Sequence, residues 1–156
     1  MPFYNRTRAV LYAERWAYSR NPAYDNFDAM GGDCTNFISQ CLFAGGAKMQ
    51  YRKTFGWYYT DLNNRAPAWT GVNPLYKFLT ENKGTGPYGT ECAAADAEPG
   101  DLVQLNFGAE WAHTLLIVSV KNGITVAAHT DDCFDRPLDS YFYVKARYIH
   151  IEGVHG

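Results

Sequence analysis

The sequence predicts an α+β domain, helical in its N-terminal half and built on an antiparallel β-sheet in its C-terminal half. Three observations lead to that expectation. Apolar residues recur at helical spacing in the early segments, and short runs rich in β-branched residues follow Leu102. Between them lies a connector rich in Gly, Pro and Ala, residues 84–99.

The first helix is expected over residues 4–20, where Val10, Leu11, Tyr12, Trp16 and Ala17 fit a helical pattern that Asn21-Pro22 ends. A turn-rich connector, 21–32, closes on Gly31-Gly32. Asp33 reads as the N-cap of a second helix, with Phe37, Ile38, Cys41 and Leu42 on its buried face and Gly45-Gly46 as its stop. Residues 51–70 are aromatic and loop-like, and their rings either line a substrate groove or complete the core. Asn73-Pro74 starts a short helix through Leu79. Strands are expected at 102–107, 113–120, 124–129 and 141–150.

The length of 156 residues suits one domain, 1–156, with a single core. With 47% hydrophobic residues the chain is not expected to be disordered. A net charge of −2 and a pI near 6.0 argue against nucleic acid as a partner. No apolar stretch is long enough for a membrane span, and no signal peptide opens the chain. A soluble monomer is expected, either cytoplasmic or a domain cut from a secreted or cell-wall protein. The four cysteines are too few for a disulfide scaffold, and without a C-x-x-C pair or H-E-x-x-H no metal is expected.

Cys34 is the most informative residue. It follows the N-cap, where unpaired backbone N–H groups and the helix dipole favour an anion, so a thiolate there is expected to have a lowered pKa. The same N–H groups suit the oxyanion of an acyl-transfer intermediate. The competing reading is a small core residue, since Cys34, Ile38 and Cys41 share one helical face. Cys41, Cys92 and Cys133 have no assigned role, and Cys133, close to His129 in sequence, is either inert or an oxidation partner.

A nucleophilic thiol needs a base, and the base an orienting group. His113 opens one apolar strand and His129 ends the next. A three-residue loop, 121–123, with Gly123 left-handed would pair Val120 with Ile124. It gathers Thr114, Leu116, Val118 and Val120 with Ile124, Val126 and Ala128 on an almost wholly apolar face. His113, His129 and Asp131 then share the other face, with Asp131 opposite His113 and His129 a diagonal step away. Each histidine alone reads equally as a hydrogen-bonded structural residue.

Several motifs together resemble the putative amidase domain family of Gram-positive bacteria. They are Asn5-Arg6 with Ala9-Val10, Asn21-Pro22-Ala23-Tyr24, and Gly32-Asp33-Cys34-Thr35-Asn36-Phe37-Ile38-Ser39-Gln40. Gly100-Asp101-Leu102-Val103-Gln104, His113-Thr114 and His129-Thr130 with Arg136-Pro137-Leu138 complete the set. More distantly the layout is similar to NlpC-type cell-wall peptidases and to CHAP domains. The resemblance implies a papain-like fold and cysteine-dependent cleavage of an amide bond in a peptide or peptidoglycan fragment, without a cofactor. By matching position, Cys34 would be the nucleophile and His113 the base. His129 would be the third member, with Asp131 as the alternative orienter. Tyr24 loosely matches a tyrosine near the active site of NlpC-type enzymes, though a packed core tyrosine fits as well. Asp33 is placed by the resemblance near the oxyanion region. Two rival readings use the same fold: a binding module without turnover, and an acyltransferase that passes the thioester to an amine.

Overall fold

The computed structural model describes residues 3–156. Helix α1 (Arg6–Trp16) starts where the Asn5 side chain accepts a hydrogen bond from the Arg8 N–H at 3.0 Å. It stops at Trp16, short of the expected residue 20, and buries Ala9 and Ala13, whose small side chains allow close packing on α2 (Cys34–Ala44). Every residue of α2 from Cys34 to Leu42 is buried, so this is the central helix. Within 51–70, read as loop, the chain forms a small hairpin, β1 (Tyr59–Asp61) with β2 (Asn64–Arg65), and α3 (Pro67–Thr70). The expected helix at 73–79 is α4 (Val72–Glu81).

The second half is an antiparallel sheet of β3 (Gly86–Cys92), β4 (Leu102–Asn106), β5 (Trp111–Ser119), β6 (Thr125–Ala128), β7 (Cys133–Pro137) and β8 (Lys145–His155). The spatial order is β3-β8-β4-β5-β6-β7. Two strands were not expected. β3 lies inside the Gly/Pro/Ala-rich connector and is held by a seven-pair ladder to β8, so tertiary pairing overrides weak local propensity. β7 is a short strand at the sheet edge that mixes Cys133 and Phe134 with Asp135 and Arg136 and shows no apolar alternation.

Both sheet faces are covered. Leu102, Leu116, Ala127, Ile149 and Ile151 join the helices in one core. Val103, Leu105, Leu115, Ile117, Val126 and Ala128 form a second, closed by Leu138, Tyr141 and Tyr148. Of the aromatic segment, Phe55, Trp57, Tyr59 and Trp69 belong to the first while Tyr51 is exposed; Trp57 and Trp69 are fully buried with ring centroids 4.7 Å apart. Their indole N–H groups donate to Ser39 Oγ (3.1 Å) and Asn36 Oδ1 (2.9 Å), so these rings complete the core and leave no polar hydrogen stranded. Buried Asp101 ties α1 to the sheet, accepting from Arg6 Nη1 (2.7 Å), the Ile151 N–H (2.8 Å), the Glu98 N–H (2.9 Å) and His150 Nδ1 (2.9 Å).

The β5–β6 hairpin corrects the expected register. Gly123 is left-handed (φ 86°) and Ser119 faces Thr125, as a three-residue loop requires. A bulge at Val118 then shifts the pairing by one, so Ile117 faces Val126 and Leu116 faces Ala127. A one-residue slip exchanges faces. His129 therefore falls on the helix side with Leu116 and Ala127, whereas His113 lies on the side of Leu115 and Ile117. Both faces of the β5–β6 pair are apolar, so the hydrophobic pattern does not select the register.

Candidate active site

Gly31 and Gly32 take φ values of 95° and 105°, a conformation open to glycine, and turn the chain sharply into α2. Cys34 follows at the helix start. Next to it, Thr35 Oγ1 meets Thr114 Oγ1 at 2.9 Å, and Gln104 Nε2 donates to Thr114 Oγ1 at 3.2 Å. The residue after the thiol is thus bonded to the residue after His113, which fixes helix against strand. At this junction a cavity of about 450 Å³ is lined by Cys34, His113 and Asp131. It is within the usual range for a small-molecule or peptide site. Asp131 reaches the cavity because Thr130 and Asp131 are both left-handed (φ 66° and 56°), turning the chain after β6. A β-branched residue in that conformation is strained.

Burial decides the protonation states. His113 is 7% exposed, and desolvation lowers its pKa to about 4; the Asp131 carboxylate acts against this and the Arg136 charge adds to it. Burial likewise pushes the Cys34 thiol up, opposed by hydrogen bonds from the backbone at Thr114 and Thr35. The expectation of a lowered thiol pKa is therefore corrected: desolvation outweighs the helix N-terminus. At neutral pH the cavity holds a thiol and a neutral imidazole.

His129 sits elsewhere. Its Nδ1 lies 2.5 Å from Asp33 Oδ2 and its Nε2 2.8 Å from the Trp16 carbonyl, and its ring stacks on Phe37 at 3.8 Å. Burial disfavours the Asp33 carboxylate, but hydrogen bonds from His129, Asn36 Nδ2 (2.9 Å) and the Phe27 N–H (2.8 Å) prevail and lower its pKa. The Asp33 carboxylate and the Trp16 carbonyl thus engage both ring nitrogens of His129. Asp33 occupies the N-cap position of α2, yet its side chain makes no cap bond. The carboxylate is spent on His129, Asn36 and Phe27, and the first N–H groups of the helix receive no side-chain cap.

Tyr24 is half-buried against Tyr59 (5.1 Å) and Trp69 (6.0 Å), outside the cavity lining. All four cysteines are free. Cys133 belongs to the second core, its Sγ 3.4 Å from the Tyr141 hydroxyl. The remaining cavity wall includes Arg136, Tyr141, Phe142 and Phe107. Sequence reading missed these residues as site components. Arg136 stands out only within the Arg136-Pro137-Leu138 motif, and Phe107, Tyr141 and Phe142 fall at the ends of stretches that read as strands, just after β4 or before β8.

The family model described as a putative amidase domain matches residues 3–152. The uncharacterized protein YhbB of Bacillus subtilis (strain 168) is 35% identical over 124 residues, covering 77% of this chain. That alignment spans 39% of the longer relative. No solved structure matches significantly. Among the described residues no helix is long and apolar enough to cross a membrane.

Proposed function

The chain belongs to the putative amidase domain family, and from that premise we propose that it is a cysteine-dependent amide hydrolase with a papain-like arrangement, Cys34 acting as nucleophile and His113 as base. The observation that carries this reading is that Cys34, His113 and Asp131 line one cavity at the start of the central helix. The alternative orienter, Asp131, is preferred to His129, because the two ring nitrogens of His129 already serve Asp33 and Trp16.

From a neutral pair, Cys34 Sγ attacks the amide carbonyl carbon as its proton passes to His113. The carbonyl oxygen becomes an oxyanion facing the uncapped N–H groups of α2. The imidazolium formed is stabilised by the Asp131 carboxylate, whose charge already favours protonation of His113. That proton moves to the leaving nitrogen, the C–N bond breaks, and an amine departs from a thioester. Water then attacks the thioester with His113 again as base, releasing a carboxylic acid and the thiol.

The substrate is a peptide amide, in the first instance one of peptidoglycan. Purified peptidoglycan and a peptide panel are incubated with the wild type and with Cys34→Ala, and new amine ends are counted. The reading expects release by the wild type alone. Release that survives Cys34→Ala would overturn it, as would thioester transfer to an added amine without release to water.

A further inference from the structure

Arg136 is the cation of the cavity wall, and no ion pair among the described residues uses it; the arginine ion pairs involve Arg6 and Arg20. Its guanidinium is braced from two sides. The carbon centre lies 3.7 Å from the Tyr141 ring centroid, and Nε donates to Ser140 Oγ at 2.7 Å, with a longer contact from Nη2 to the Ser140 carbonyl at 3.4 Å. Both bonds run from Nε and Nη2, which leaves Nη1 outside them. The charge is near enough to the reacting groups to lower the pKa of His113. Asp131 lines the same cavity, but no ion pair joins it to Arg136.

A half-buried arginine held by stacking and by neutral partners keeps its charge for something that enters the cavity. We propose that Arg136 is a specificity residue that binds a carboxylate on the substrate, so that the preferred amide lies next to an acidic side chain or a free carboxyl terminus. The inference rests on the reading of this cavity as the amidase site for the bond cleaved, though the anion subsite is testable without turnover. The exposed rings of Phe142 and Phe107 flank it and suit the apolar part of such a substrate.

Iodoacetate and iodoacetamide are thiol alkylators of nearly equal size, one anionic and one neutral. Their rates at Cys34 are measured by mass spectrometry in the wild type, Arg136→Gln and Arg136→Lys. The iodoacetate-to-iodoacetamide ratio is expected to fall about tenfold in Arg136→Gln and to be largely retained in Arg136→Lys. In the wild type, added salt should lower the iodoacetate rate and leave iodoacetamide unchanged, a readout that needs no variant to fold. A ratio insensitive to salt, or equal in wild type and a folded Arg136→Gln, overturns the proposal. His113→Ala separates the two readings: loss of Cys34 reactivity toward both reagents supports the reacting pair. A normal rate with an Arg136-dependent ratio keeps the subsite and rejects the pair.

Discussion

Replacing Asp33 by Asn separates a structural from a catalytic role for His129. Asp33 and His129 are each 1% exposed, and the carboxylate receives hydrogen from His129, Asn36 and the Phe27 amide. Asparagine removes the charge and leaves these donors poorly matched. Breaking a buried charged pair from one side costs about 3–5 kcal/mol. For a chain of this length, that lowers the thermal midpoint by about 10 °C. The acid response changes too. Because folding lowers the Asp33 pKa below its ordinary 3.8, its contribution is complete above that value and is lost as pH falls through the folded-state pKa. Asp33→Asn lacks this loss. Well below its midpoint the variant should keep its Cys34 reactivity, since the Asp33 charge raises the thiol pKa and its removal moves that pKa down. Circular-dichroism melts and alkylation of Cys34 are the assays. An unchanged midpoint with abolished reactivity would refute the structural role and return His129 to the chemistry.

Asp131→Asn, at an exposed left-handed position that asparagine tolerates, should change stability by under about 0.5 kcal/mol. The same variant should reduce amide hydrolysis about 100-fold or more, as steady-state kinetics would show. Hydrolysis should fall away below about pH 4, where His113 becomes protonated and cannot accept the thiol proton, a limb that a pH–rate profile reads. The same burial makes His113 costly in acid: the unfolded chain takes up its proton first, so stability drops from pH 6.5 down to about 4, by about 3 kcal/mol in all. His113→Gln should flatten that part of a denaturant-midpoint series against pH. Trp69→Ala should cost about 3–5 kcal/mol by urea unfolding, because it empties a fully buried aromatic position and strands Asn36 Oδ1.

The parts of the fold legible in the sequence have strong local causes. Asp33-Cys34 at a helix start, the Gly45-Gly46 stop and the first three expected strands are set by turn residues and periodicity, and the structure has those strands within two residues, whereas the fourth, expected at 141–150, is Lys145–His155. β3 was hidden because Gly86, Pro87 and Gly89 have poor strand propensity, and its ladder to β8 is a long-range fact. The histidine pairing was misread because the Val118 bulge leaves no mark in a strand apolar on both faces. Cys34 and His113 were found from their local settings, whereas Arg136 reaches the cavity from β7 and Tyr141 from the chain path after it. Asp131 was expected opposite His113 by register; it lines the His113 cavity through two left-handed residues.

The central claim is that the Cys34 thiol and the His113 imidazole act as one reacting pair. Incubation with an activated ester such as p-nitrophenyl acetate, followed by peptide mapping of the acetyl group, tests it most directly. The account predicts an acetyl thioester on Cys34, formed fastest above neutral pH and lost in His113→Ala while His129→Gln retains it at low temperature. Acetylation of Cys34 no faster than that of partly exposed Cys92, or undiminished in His113→Ala, would contradict it.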